Sequence, residues 1–309
     1  MIARMTGFAL AGSGNYRPKT VRNGRPIAGA NETTSAMATA AAEQALTGAG
    51  WRAADLDVLI GACSVMEQPI PGTAILVQRR LGIGASGVAA FDVNATCLSG
   101  LLALDLAVTG IAAGKWRRAL IVTADMPSAA VDPADLALGP IFGDGAAALA
   151  VEAGDHRVLA SRFESYGDHA DLCRLDAGGT RVDPRGDHDE FLAATRFRMD
   201  GPALYRKTAR LFPAFLDRLL GAAGVRADEI DLIVPHQASA PAIDHLSHVL
   251  GGDRDRIVDI FGEHGNQVAT SLPHALHVAA TTGRLTPGST VLLVGSAAGI
   301  TLGGILVRW

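Results

Sequence analysis

Short apolar runs alternate along this chain with longer amphipathic stretches. Val88–Val93 reads as an extended segment that gives way to a helix over Leu98–Ala113, and a second apolar helix is expected over Val268–Thr282. Ala49-Gly-Trp-Arg-Ala-Ala-Asp-Leu-Asp-Val-Leu-Ile60 pairs with Ala223-Gly-Val-Arg-Ala-Asp-Glu-Ile-Asp-Leu-Ile-Val234: each predicts a helix end with a glycine stop, an acidic turn and a buried strand. Ala119-Leu-Ile-Val-Thr-Ala124 echoes Val291-Leu-Leu-Val-Gly-Ser296, and Gly143–Val151 echoes Gly299–Val307. The chain therefore reads as a duplication. Helices alternating with apolar strands predict an α/β fold with helices on both faces of mixed or parallel sheets. The halves are placed at residues 1–154 and 155–309. The polar stretch Asp155–Asp200 breaks the repeat and reads as an inserted or linking segment.

The duplication superposes candidate chemistry. It sets Cys97 opposite the loop Gly262-Glu-His-Gly-Asn266, and Ala62 opposite His236. A pseudo-two-fold axis would then gather Cys97, His236 and Asn266 at the strand C-terminal ends, where open α/β sheets bind ligands. Cys97 stands at the start of a helix, where free N–H groups and the dipole favour thiolate. The plain alternatives are a structural cysteine, a polar strand-end histidine and a turn asparagine. His264, His274 and His277 read as structural, without the spacing of a closed metal site. Gly143-Asp-Gly145 lacks the residues of a phosphate loop. The backbone N–H groups of Ser296-Ala-Ala-Gly299 could polarise a carbonyl.

Composition narrows the classes. The chain has 309 residues, 49% hydrophobic and 19% charged, with a formal net charge of −4 and 5% aromatics, so a large core is expected and nucleic-acid binding is not. Three cysteines without Cys-x-x-Cys spacing give no zinc or disulfide framework. Apolar runs are too short for a membrane span, and Met1–Gly7 lacks a signal-peptide core, so a cytoplasmic protein is expected.

Several ordered motifs resemble one family. Asp92-Val-Asn-Ala-Thr-Cys97-Leu-Ser-Gly, Val-Pro-His236-Gln-Ala, His264-Gly-Asn266, Phe142-Gly-Asp-Gly-Ala, Asn31-Glu-Thr-Thr-Ser-Ala-Met37 and the ending Leu306-Val-Arg-Trp309 are similar to the 3-oxoacyl-ACP synthase III family of thiolase-like ketosynthases. The resemblance implies a layered αβαβα fold, a homodimer, acyl carrier protein and acyl thioesters as partners, and no cofactor or metal. It implies that Cys97 carries an acyl group while His236 and Asn266 hold a malonyl thioester that loses carbon dioxide. The backbone N–H groups of Cys97 and Ala298 would form the oxyanion hole. Ile70, Phe142 and Ser296 would line substrate pockets, Ile70 in the partner subunit, and Arg206 would dock the carrier protein.

The departures matter equally. The segment that grips the adenine end of coenzyme A in the family is missing between Tyr16 and Ile27. Leu136 replaces a coenzyme-binding arginine, Ser239 an asparagine and Pro241 a carrier-docking arginine. They imply a specialised member, and the small Ile70 implies tolerance of acyl chains longer than acetyl. Glu67 reads either as a surface residue or as a second base offered to the partner. Two rivals stay open: an acyltransferase that passes acyl from Cys97 to an amine or hydroxyl, and a non-catalytic ketosynthase partner subunit.

Overall fold

Both glycine stops end helices in the computed structural model, which describes residues 7–131, 135 and 137–309. Leu136 lies outside the described residues. The first half runs β1 (Phe8–Tyr16), β2 (Thr20–Arg22), β3 (Arg25–Ile27), α1 (Thr34–Ala49), β4 (Val58–Gly61), α2 (Thr73–Arg80), β5 (Ala89–Asp92), α3 (Ser99–Ala112), β6 (Arg118–Asp125) and β7 (Gly145–Ala153). The second begins with β8 (Arg157–His169), β9 (Cys173–Arg174), α4 (His188–Ala194), β10 (Arg198–Met199) and α5 (Gly201–Ala223). It ends with β11 (Leu232–Pro235), α6 (Ala240–Val249), α7 (Phe261–His264), α8 (Ser271–Thr281), β12 (Thr290–Ala297) and β13 (Gly299–Arg308).

Helix ends follow local chemistry. Thr33 accepts from Ala36 N–H to start α1, and Asp200 from Ala203 N–H to start α5. Gly50 and Gly224 stop them at φ +67° and +65°, a conformation that costs glycine nothing.

The strands form a five-stranded sheet, β1-β7-β6-β4-β5, and a four-stranded sheet, β11-β12-β13-β8. In the first, β4 runs parallel to β5 and β6, and β7 antiparallel to β6 and β1. In the second, β11 is parallel to β12, while β13 is antiparallel to β12 and β8. The register repeats as well: Ala124 faces Ala146 on β6 and β7, and Ser296 faces Leu302 on β12 and β13. The segment expected to link the halves is partly strand. Arg157–His169 is the edge strand β8, the counterpart of β1, and only the chain beyond it departs from the repeat. Its mixed polar sequence suits a half-exposed edge, which hides the strand from a search for apolar runs.

The core has three parts, set by strand alternation. Val58, Ile60, Ala119 and Ile121 face inward to a central layer with α3 and α8, joined by Val234 and Leu293 of the second sheet. Leu59, Leu120 and Val122 pack outward under α1 and α2. Ile233, Leu292 and Leu306 pack outward under α5 and α6. The result is an αβαβα sandwich. Its central helices touch at Gly100, where a Cβ would lie 2.5 Å from Pro273 Cγ. Burial on both faces explains the nearly continuous apolar strands.

Candidate active site

The two halves contribute equivalent turns at the heart of the molecule. A 3₁₀ turn, Thr96–Leu98, precedes α3, and another, Val268–Thr270, precedes α8. Each opens on a non-glycine residue of positive φ, Thr96 at 50° and Val268 at 52°. Asn94 Oδ1 accepts from Thr96 N–H as Asn266 Oδ1 accepts from Val268 N–H, both at 2.8 Å. Asn94 Nδ2 donates to Ser64 O at 3.0 Å, and Asn266 Nδ2 to Ala238 O at 3.2 Å. Asn94 is thus the counterpart of Asn266, and Cys97 that of Ala269. The sequence comparison had set Cys97 against the Asn266 loop. Loop residues have no periodicity to hold the alignment, and it slipped along the loop.

Packing links the elements that carry the three expected residues. Asn266 reaches the carbonyl of Ala238, in the loop that follows His236. His236 leaves β11 with its N–H on Val294 O at 2.9 Å. Gly295 lies between His236 and the Cys97 turn: a Cβ there would stand 2.6 Å from His236 Cβ and 3.1 Å from Leu98 Cδ2. The N–H groups of Ala298 and of Cys97 itself lie near the Cys97 thiol and favour its charged form. Ala297 and Ala298 sit in this turn without strain, because only Gly299 of it has positive φ, at 133°.

The resting charges differ from expectation in one respect. Burial pushes the Cys97 thiol up to about 12, the nearby Cys173 and Asp125 add to this, and the two N–H groups only partly offset it. Cys97 precedes the N-cap Leu98 and so lies outside the first turn of α3, where a dipole would act. The helix-terminus argument for a resting thiolate is therefore corrected: the site holds a thiol. Burial also pushes His236 down to about 4, so its imidazole is neutral at pH 7, and its Nδ1 has no hydrogen-bond partner. Alkylation of Cys97 by iodoacetamide should accelerate about tenfold per pH unit between roughly pH 7 and 9, as the thiolate fraction does far below a pKa. Peptide mass spectrometry would read this. A plateau below pH 8 would contradict the buried thiol.

The remaining predicted residues have clear places. Phe142 is buried, bridges to Asn266 and meets Phe197 edge-on with ring centroids 5.4 Å apart. Ser296 lines, with His236, a cleft between α5 and α6 of about 520 Å³ counted to its open mouth. Ile70 is 85% exposed and lies on the surface of this chain. Arg206 is exposed on α5, next to Tyr205 at the cleft. Ser239 caps α6 by accepting from Ala242 N–H, and Pro241 occupies its first turn. Glu67 accepts the Ser35 N–H at 2.6 Å at the start of α1. Burial raises its pKa, but hydrogen bonds from Ser35 and Thr33 and the charge of Arg80 leave it below the usual carboxylate range. It holds a helix end within its own chain.

Residues 91–167 match the family model described as 3-Oxoacyl-[acyl-carrier-protein (ACP)] synthase III, and residues 220–309 match that of its C-terminal part. The Beta-ketoacyl-[acyl-carrier-protein] synthase III of Rhizorhabdus wittichii is 36% identical over 292 residues, 94% of this chain and 88% of that protein. That of Agrobacterium fabrum is 35% identical over 292 residues, 92% and 87% of the two chains. The chain belongs to the 3-oxoacyl-ACP synthase III family. The fold agrees throughout: the Aquifex aeolicus VF5 crystal structure of 3-oxoacyl-[acyl-carrier-protein] synthase III superposes with a TM-score of 0.88 at 30% identity, covering 98% of this chain and 100% of that one. OleA of Xanthomonas campestris, 21% identical with a TM-score of 0.85 and covering 99% of this chain and 100% of that one, shares the thiolase-like fold. As a family member the chain is an acyltransferase-type condensing enzyme.

Two supporting groups stand beside the site, and the first escaped the sequence reading. Asp125, buried at the end of β6, accepts from Ser64 N–H at 2.8 Å, Val65 N–H at 3.4 Å, and Thr270 N–H and Oγ1 at 3.2 Å. It ties the first half to the turn that carries Asn266. Burial raises its pKa to about 7 against these donors. An acidic residue closing the apolar run Ala119–Ala124 was the available signal. His274 is the second. Gln267 Nε2 donates to Asp144 O at 3.1 Å, so Gln267 Oε1 accepts from His274 Nδ1 at 2.7 Å, and His274 Nε2 accepts from Asn15 Nδ2 at 2.9 Å. This chain of bonds holds the residue after Asn266 in place and fixes His274 as neutral.

Proposed function

We propose that this enzyme joins an acyl group carried on Cys97 to a malonyl-type thioester with loss of carbon dioxide. The observations that support the reading are the packing of the Cys97 turn beside the strand end that carries His236, the neutral His236 imidazole, and the Asn266 amide bound to the loop after it. In the first step the sulfur attacks the donor thioester. The carbon–sulfur bond to the donor breaks, its thiol leaves with a proton, and the N–H groups of Cys97 and Ala298 stabilise the oxyanion. In the second step the malonyl carboxylate leaves as carbon dioxide. The enolate oxygen takes hydrogen bonds from the His236 imidazole and the second Asn266 Nδ2–H. The enolate carbon attacks the acyl carbonyl, and the Cys97 thiolate that leaves takes up one proton. A neutral imidazole suits this role because it stabilises the enolate without protonating it.

The partners follow from surface chemistry. Among the described residues β5 pairs only with β4, which leaves its outer edge open there, and Val65, Met66, Ile70 and Ile75 are 52%, 44%, 85% and 40% exposed nearby in the chain. An open strand edge with an apolar border suits a second copy of the chain. In such a dimer Ile70 would lie in the partner's acyl pocket and leave room for longer chains. Arg206, Lys207 and Arg210 are exposed on one stretch of α5, beside cleft residues Tyr205, Thr208 and Ala209. They suit an acidic carrier protein.

The missing adenine-gripping segment and the commitment of Ser239 and Pro241 to the α6 cap support a specialised member that prefers carrier-bound thioesters over coenzyme A. Labelled malonyl thioester tests the reaction: carbon dioxide release with a β-ketoacyl product marks condensation, and acyl transfer to an amine or hydroxyl without release would replace it. In the same assay carrier-bound acyl donors should load Cys97 at least about tenfold better than acyl-CoA, as expected when one or two charged contacts are lost. Micromolar saturation by acetyl-CoA with rapid turnover would end the specialised reading.

A further inference from the structure

Asp125 sits between the two active-site turns and bonds towards both. One carboxylate oxygen, Oδ1, accepts from Ser64 N–H at 2.8 Å and from Val65 N–H at 3.4 Å. The other, Oδ2, accepts from Thr270 N–H and from the Thr270 hydroxyl, both at 3.2 Å. The first oxygen leads to the nucleophile. Ser64 O accepts from the Asn94 amide at 3.0 Å, and Asn94 Oδ1 accepts at 2.8 Å from Thr96 N–H, which opens the Cys97 turn. The second oxygen leads to Asn266, whose Oδ1 accepts from Val268 N–H in the same 3₁₀ turn as Thr270. A single side chain, 2% exposed, therefore joins the turn of the nucleophile to the turn that follows Asn266.

The duplication separates this bond set from what the turns need for their own shape. Asp125 faces Gly145 on β7 as Ala297 faces Thr301 on β13, so Ala297 is its counterpart. Alanine has no side-chain acceptor, yet the loop and turn on that side keep the same pair of asparagine bonds. What the carboxylate adds is a fixed spacing between the two turns. The two steps of the proposed reaction need that spacing unequally. Loading uses the Cys97 turn and Ala298. Condensation sets the acyl group on Cys97 against an enolate held in part by Asn266. A misplacement of about 1 Å in such a step costs on the order of 10²-fold in rate. We infer that Asp125 is a positioning residue for the second step, holding the Asn266 turn at its working distance from the acyl group on Cys97. The inference rests on the proposed condensation for what Asn266 holds.

Asp125→Asn and Thr270→Val test this at pH 8, where the carboxylate is charged. Asparagine keeps the shape but has one oxygen, so it can hold one turn and not both. Valine keeps the shape of Thr270 and the charge of Asp125 and removes only the hydroxyl bond. Intact-protein mass follows loading. Single-turnover release of carbon dioxide from pre-acylated enzyme and malonyl-pantetheine follows the second step. The maximal second-step rate should fall about 10–100-fold in D125N and about 3–10-fold in T270V, the size of one hydrogen bond. The malonyl-pantetheine concentration giving half that rate should move by under about twofold. Loading should stay within about threefold of the parent in T270V. In D125N it should hold or rise, because a charge that disfavours the Cys97 thiolate is gone. A merely structural role would lower both steps together. Equal losses in loading and in the second step, or an unchanged second step, would overturn the inference, and T270V decides alone if D125N does not fold. A parent that hands its acyl group to an amine or hydroxyl without releasing carbon dioxide ends the condensation reading. The ratio of the two steps is then read on that transfer, and equal losses there still overturn the assignment of Asp125.

Discussion

Replacing Cys97 with alanine should abolish acyl loading and condensation together. Intact-protein mass after incubation with acyl donors would show an adduct on the parent and none on the variant, and turnover should fall by roughly 10³-fold or more, the scale on which loss of a covalent nucleophile acts. The loss has a chemical origin, because the substitution removes one sulfur from a turn held by other bonds. Asn94 still caps Thr96 N–H, and Ser99 Oγ still accepts from Ala95 N–H at 2.9 Å. The turn and α3 should therefore persist. Serine at this position should also fail, since an alkoxide is far harder to form than a thiolate in a site already burying its nucleophile in neutral form. An alanine variant that still acquires an acyl group would show that the carrier residue lies elsewhere.

His236→Ala and Asn266→Asp should separate the two halves of the reaction. Each removes a hydrogen-bond donor from the enolate oxygen, and loss of one such donor costs about 10²–10³-fold in rate. Carbon dioxide release should drop by that factor while Cys97 still acylates at a rate within about tenfold of the parent. Aspartate is chosen at position 266 because Oδ1 can still accept the Val268 N–H that shapes the turn. The double variant should be little worse than either single one, as expected for groups acting on the same atom. Equal loss of loading and decarboxylation in both variants would move their role to the first step.

Parts of this arrangement were readable residue by residue. Gly50 and Gly224 marked helix ends because only a left-handed residue satisfies the last carbonyls there. The echo between Gly143–Val151 and Gly299–Val307 matched the true strand register, since both segments are buried strands whose alternation a slip of one residue would reverse. β8 was read as a linker because its half-exposed, charged alternation resembles loop composition. Glu67 could not be classified until its bond to Ser35 was visible, for that contact joins a loop to a helix distant in the chain.

From its sequence alone this chain determined the alternation of helices and strands, the duplication and the residue types of the site, because each is written in periodicity and short-range chemistry. Only the tertiary structure decided that Cys97 rests as a buried thiol, that Asn94 and not Cys97 is the counterpart of Asn266, and that Asp125 ties the two halves together. Those facts depend on which atoms the two halves bring face to face. Burial, protonation and hydrogen-bond partnership belong to that meeting and have no trace in the order of residues on either side of it.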